Sequence, residues 1–459
     1  MDSITLAFLM SGALLVLVLI GTRVAFAAAL TGIIGLILHF TIVKGRDFDV
    51  ALGITLERMA SVPIAKLSSL EIGLIPTFIV IGFLAYYAGF TKALFEAAKK
   101  WIGWLPGGLG LSTVFATAGF AAVSGASVAT SAVFARIAIP EMLKLGYDKR
   151  FSAGVVAAGG TLASLIPPSA ILVVFGIITE TSVGKLLLAG FLPGLISALI
   201  YGLLIVGMAM QRPNIAPVVT GFSWQERVSS LPGTLPIIAV VMIILLSIST
   251  GWATPTEAGA VGAFVVLIFA LMRGMKMGDL RSALLEAAKL SAMILAIIWG
   301  VLIFVRYLGF ARLDTFLETW VLGLDQPAIV ILLVILGIYV ILGMFMDAIG
   351  MMTLTLPFTF PIIMTINGGE DVSAANAVFG MSGEEAKLWF GILVVKMAEL
   401  CLITPPIGLN CFVVAGVRPE LSVQDVFRGA APFFIADVAT IMVLIAFPQI
   451  VLFLPNLLS

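Results

Sequence analysis

Two proline pairs stand out for what they do to the backbone. Pro167 and Pro168 interrupt SLIPPSAIL (residues 164–172), and Pro405 and Pro406 interrupt CLITPPIGLN (residues 401–410). Both stretches are otherwise apolar enough to cross a membrane. A proline inside a helix removes a backbone donor and clashes with the preceding turn, freeing carbonyl oxygens that hydrocarbon cannot satisfy. Such backbone persists at membrane depth only where it is buried in protein or lines a cavity. Two broken helices in corresponding places of two halves of a chain point to a transporter's binding site.

The elements around the breaks follow from composition. Of 459 residues, 61% are hydrophobic and only 11% charged, against about 25% charged in soluble domains. The chain therefore reads as an all-α polytopic membrane protein whose surface meets a lipid bilayer. With 25 basic and 25 acidic residues its net charge is zero, which argues against nucleic acid as a partner. The 46 glycines suit close helix packing. Ile4 to Gly21 lacks the basic start of a signal peptide, and a second apolar stretch, Val24 to Val43, follows at once, so it reads as a retained span. Further spans are expected at 72–89, 150–179 (broken), 186–209, 234–250, 256–272, 289–309, 327–345, 386–416 (broken) and 431–454. Cys401 and Cys411, the only cysteines, read as reduced packing residues beside the second break.

Two apolar stretches look like hairpins. Residues 109–140 are too long for one untilted span, and Ser124-Gly125-Ala126-Ser127 near their middle can turn the chain. Gly permits the turn and Ser satisfies local backbone. Residues 342–362, LGMFMDAIGMMTLTLPFTFPI, offer a second turn near Gly343 to Gly350 behind an apolar arm. Each half thus runs hairpin, loop, broken helix. Flanking the first hairpin are Lys92, Lys99, Lys100, Lys144, Lys149 and Arg150 against three acids; flanking the second are only Arg312 and Lys387 against seven. Basic residues near span ends mark the cytoplasmic side, so the first hairpin is expected to open from the cytoplasm and the second from the opposite face. That is the arrangement of an inverted repeat with its two half-sites near the bilayer midplane.

At these residues the chain resembles a family. Residues 119–172 (GFAAVSGASVATSAVF through SLIPPSAIL), TPTEAGAVGA (254–263) and LITPPIGLNCFVV (402–414) resemble, in order, motifs of the large membrane subunit of tripartite ATP-independent periplasmic (TRAP) transporters. The resemblance implies an elevator-type carrier with inverted repeats, two re-entrant hairpins and two Pro-Pro-broken helices. It also implies Na+ as coupling ion, an organic acid as substrate, a small four-helix membrane (Q) subunit and a periplasmic substrate-binding (P) protein as partners, and a bacterial inner membrane. The small subunit is expected as a separate chain, since Met1 opens directly in the large-subunit pattern. Carried over by motif, one sodium site would use Ser124, Gly125, Ser127, Thr161 and the carbonyls around Pro167. The other would use Gly343, Asp347, Thr404, Pro405 and Asn410. Substrate would meet Ser124, Ser127, Asp347 and Asn410. A hard cation prefers such oxygen donors to sulfur or imidazole. The plainer alternative is that SGAS packs a tight helix crossing while the threonines satisfy local backbone. The expected units are 1–107 (scaffold helices and amphipathic arm), 108–184 (first transport half), 185–326 (scaffold and connecting arm), 327–418 (second transport half) and 419–459 (C-terminal helix). IWGVLIF (298–304) departs from the family's small-residue run, and Leu302 offers no side-chain oxygen. Thr41 to Glu71, with Lys44, Arg46, Asp47, Asp49, Glu57, Arg58 and Lys66 between apolar residues, reads as an amphipathic arm in the interface, or as a solvated loop.

Charges within apolar stretches are costly and call for a role. Asp347 is expected at the second hairpin tip, in contact with ion or solute. Glu257 suits a helix start as a cap or takes part in transport, and Arg306 snorkels or meets a carboxylate. Lys396 and Glu399, three apart, can pair on one helix face, and Asp437 caps or packs. The chain carries no phosphate-cradling G-x-x-x-x-G-K-[ST], which argues against an ATP-driven pump. The single histidine, His39, lies far along the chain from SGAS, and Asp347 with Asp437 lack a protease motif, so the chain is not expected to be an enzyme. A stand-alone sodium–carboxylate symporter and a passive channel remain the other readings.

Overall fold

The protein is described by a computed structural model covering residues 2–67 and 70–458, with side chains described except at 62–67, 70, 71 and 314. The helices are those that the apolar pattern demands, and the described residues contain no strand. Among the described residues, six helices are long and apolar enough to cross a bilayer, or up to eight if two bent pairs each count as one.

The first bent pair is Leu74–Tyr87 with Phe90–Ile102, which turns by 67° at Gly89, a residue in the left-handed region. The span expected at 289–309 is the end of a much longer helix, Met277–Ala311. At about 1.5 Å per residue its 35 residues reach some 52 Å, well beyond the ~30 Å of a hydrocarbon core. The span expected over 431–454 is two helices, Val423–Ala446 and Gln449–Leu458. Pro448 explains the difference, because the residue before a proline avoids the helical region and Phe447 is extended at φ −128°, ψ 71°. The arm after Thr41 holds a helix, Phe48–Leu67, while the side chains of Lys66 and Glu71 lie outside the described residues.

Val24–Leu38 and Met277–Ala311 pack along most of their shared length, and glycine makes the approach possible. A methyl group on Gly300 would sit 2.1 Å from the Ala25 carbonyl oxygen, and one on Gly32 would sit 2.8 Å from the Phe304 backbone nitrogen. The IWGVLIF segment thus belongs to this seam. Leu74–Tyr87 and Pro255–Met272 extend the same group of helices. Glu257 completes a capping box there with Thr254, accepting from its backbone N–H at 2.8 Å. Arg306 is exposed, with its guanidinium 5.4 Å from the Phe310 ring centre.

The hairpins form where the sequence turns. Gly108–Ser124 and Ser127–Lys144 are joined at Gly125-Ala126, and Ala328–Gly343 and Ala348–Asn367 are joined through residues 344–347. The broken helices are Lys149–Thr161 followed by Ala170–Thr179, and Gly383–Cys401 followed by Leu409–Val417. Their packing is crossed. Leu409–Val417 lies on Ser127–Lys144 and Lys149–Thr161 of the first half, and Ala170–Thr179 lies on Ala348–Asn367 and Gly383–Cys401 of the second.

Candidate functional site

The first break is sealed by its hairpin. Helix Lys149–Thr161 tightens into a short 3-10 turn, Leu162–Ser164, before the cis Pro167-Pro168 bond. The next helix starts at Ser169, whose hydroxyl accepts from the Leu172 N–H and donates to the Ser164 carbonyl. Gly125, at φ +56°, brings the hairpin tip down on this loop, and a methyl group there would lie 2.5 Å from the Pro168 carbonyl oxygen. Ser127 Oγ meets Ser164 Oγ at 2.5 Å, and Ser124 Oγ meets Thr130 Oγ1 at 3.0 Å. Thr161 Oγ1 donates to the Ala158 carbonyl at 2.7 Å and lies 3.4 Å from the Tyr201 hydroxyl. The hairpin tip at Ser124, Gly125 and Ser127 and the break loop at Pro167 therefore meet in one buried contact, with Thr161 one turn before the break.

The second break is built alike but is less covered. Pro405-Pro406 is also cis, yet Pro405, Pro406 and Ile407 are exposed, whereas residues 161–170 are all buried. Thr404 Oγ1 donates to the Leu400 carbonyl at 2.6 Å. Asn410 sends its amide N–H₂ to the Ala157 carbonyl of the first broken helix at 3.2 Å, and its side-chain oxygen is buried without a partner. That bond ties the two breaks together. Asp347 is the N-cap of Ala348–Asn367, accepting from the Gly350 N–H at 3.1 Å. A methyl group on Gly343 would meet Cys401 Sγ at 1.9 Å, so its surroundings are sulfur rather than the oxygens a hard cation prefers.

Sequence reasoning missed the densest cluster of charge. Lys396 Nζ lies 2.6 Å from both Glu399 Oε2 and Asp437 Oδ1, and all three residues are fully buried. The Tyr201 hydroxyl donates to Asp437 Oδ1 at 2.7 Å, so the cluster runs through Tyr201 to Thr161 beside the first break. The Lys396–Glu399 pair was readable from its spacing. Asp437, set in the apolar stretch of its helix, could have been matched to Lys396 only by asking where its countercharge lies.

Paired hairpins and proline-broken helices, crossed between two halves of an all-helical membrane chain, define a multi-pass transporter-type protein. A sequence model described as "Tripartite ATP-independent periplasmic transporter, DctM component" matches residues 11–450, and the chain belongs to that family. It is 34% identical, over 84% of this chain and 86% of the other, to the C4-dicarboxylate TRAP transporter large permease protein DctM of Pseudomonas aeruginosa. It is also 30% identical to the isethionate TRAP transporter permease protein DctMQ of Oleidesulfovibrio alaskensis, over 87% of this chain and 60% of that one. The sialic acid TRAP transporter permease protein SiaT of Haemophilus influenzae is 27% identical over 86% of this chain and 61% of its own. In fold, the chain is similar to the YdaH transporter of Alcanivorax borkumensis, with a TM-score of 0.60 at 13% identity over 86% of this chain and 89% of that one.

Proposed function

We propose that this chain is the membrane carrier of a sodium-driven uptake system for small organic acids in a bacterial inner membrane. It works beside a small four-helix membrane subunit and takes its substrate from a periplasmic binding protein. The substrates of its relatives, C4-dicarboxylate, isethionate and sialic acid, support the substrate class. The observation that carries the reading is the crossed pair of hairpin-and-break units, joined through Asn410 and Ala157. In an elevator cycle these units move together against the seam of Val24–Leu38 and Met277–Ala311. Val183–Gln211, placed with the scaffold by its position in sequence, packs against the first hairpin and the last two helices, which favours its moving with the carrier unit.

Sodium is cargo in this scheme. Carbonyls freed at each break, with Ser124, Ser127, Thr161, Thr404 and the partnerless oxygen of Asn410, supply hard oxygen donors. Proteoliposomes holding the carrier with its small subunit and binding protein test the reading, with uptake expected to follow an imposed sodium gradient and to saturate. Unsaturated flux that ignores the gradient would mean a channel. Replacing Pro405 and Pro406 together with Ala restores a backbone donor and lets the helix continue, so sodium dependence should weaken. Unaltered sodium affinity in that variant would remove the second break from the ion site.

A further inference from the structure

A cavity of about 180 Å³ opens beside the first hairpin, between it, Leu74–Tyr87 and Met277–Ala311. Its polar wall is made by Tyr86, Tyr87, Ser124, Arg136 and Glu286, and its floor by small residues such as Ala132. Arg136 sits on the second hairpin arm amid apolar neighbours, nine residues beyond Ser127 and so about 14 Å along the helix. Arg136 is exposed, so its guanidinium is open to the cavity and to what enters it. Its guanidinium carries five donors, and the contact it makes is a long one of 3.5 Å, from Nη1 to the Tyr86 hydroxyl. Among the described residues no carboxylate lies within ion-pair distance of it. Glu286, across the same cavity, is taken by the Tyr87 hydroxyl at 3.0 Å.

From this geometry we infer that the cavity is a staging subsite for a small carboxylate, separate from the hairpin tip, in which Arg136 grips the anion. The planar fork of the guanidinium matches a carboxylate bidentately, which a lysine does not. The two tyrosine hydroxyls flank the bound acid, and the cavity continues to Ser124 and Ala126, so an anion held at Arg136 has a continuous route to the tip. The volume is below the ~300–1,000 Å³ of pockets that take drug-sized ligands, so the subsite suits a C4-dicarboxylate better than a bulky sugar acid. The substrate class alone is taken from the function proposed above.

The test uses the full chain carrying Ala132→Cys, since the native Cys401 and Cys411 are buried. Labelling of the new thiol by N-ethylmaleimide is followed with succinate, with N-acetylneuraminate, and with chloride at matched ionic strength. At succinate four times its Kd, labelling should slow about fivefold, because one site in five remains empty. Arg136→Gln should abolish that protection, Arg136→Lys should retain part of it, and N-acetylneuraminate should protect less. Equal rates with and without succinate in the Arg136 protein would overturn the subsite. Equal protection in Arg136→Gln would overturn the role of the guanidinium. Elution of each variant as a sharp peak in detergent shows that it folds. The readout needs no transport, so sodium-driven uptake without protection refutes this subsite alone, and protection without sodium coupling refutes the sodium reading alone.

Discussion

Lys396 holds two carboxylates at 2.6 Å each in a site with no exposure. Breaking such a cluster by removing one partner leaves charge uncompensated, at a cost of roughly 3–5 kcal/mol. Lys396→Met should therefore lower the thermal midpoint of the detergent-solubilised carrier markedly, whereas replacing Lys396, Glu399 and Asp437 together with apolar residues should recover much of the loss. A small loss in the single variant would show that the two carboxylates find other partners. At this scale the sequence was legible where backbone chemistry is local. Gly125 and the proline pairs announced the turn and the breaks, because few other residues serve there. The partnership of Lys396 with Asp437 spans 41 positions and two helices, so no local pattern could carry it. Asp347, expected to touch ion or solute, also caps its own helix, since an N-terminal carboxylate finds a backbone donor three residues on.

Among elements, the closest approach in the carrier unit lies between Lys149–Thr161 and Val423–Ala446. A methyl group on Gly154 would stand 2.0 Å from the Gly429 carbonyl oxygen, and one on Gly429 would stand 1.8 Å from that of Arg150. Asp425 pins the same pair of helices at their ends, accepting from Lys149 at 2.9 Å and Arg150 at 3.0 Å. Gly154→Ala should force the helices apart at an overpacking cost of about 1–3 kcal/mol, read as a lower midpoint in thermal unfolding. An unchanged midpoint would mean that the helices are free to slide there. The hairpin and broken-helix order was visible in hydropathy, and so was each break. The crossing of the post-break helices was not, because apolar periodicity shows which residues are buried and not which helix buries them.

For the whole molecule, both hairpin tips rest on the helices of the seam group. A methyl group on Gly82 would meet Ser124 Cα at 2.6 Å, and one on Gly350 would meet Val24 Cγ2 at 2.8 Å. Under the sodium coupling proposed above, two break-and-hairpin units would correspond to two ions per cycle, each gaining about 2.3 kcal/mol from a 100 mV potential. A dicarboxylate moving with two ions carries no net charge. Its accumulation in vesicles should be the same with or without an imposed negative-inside potential, while a third ion would raise it roughly fiftyfold per 100 mV. The crossed packing also bears on how the chain is made. The first broken helix packs on its own hairpin, which is made before it, and also on Leu409–Val417 and Val423–Ala446, which are made more than two hundred residues later. The loop of the first break is thus closed by its own hairpin as it is made, while one flank of Lys149–Thr161 gains its neighbours only when Leu409–Val417 and Val423–Ala446 follow, so the nascent protein must hold that flank half-packed in the bilayer until then.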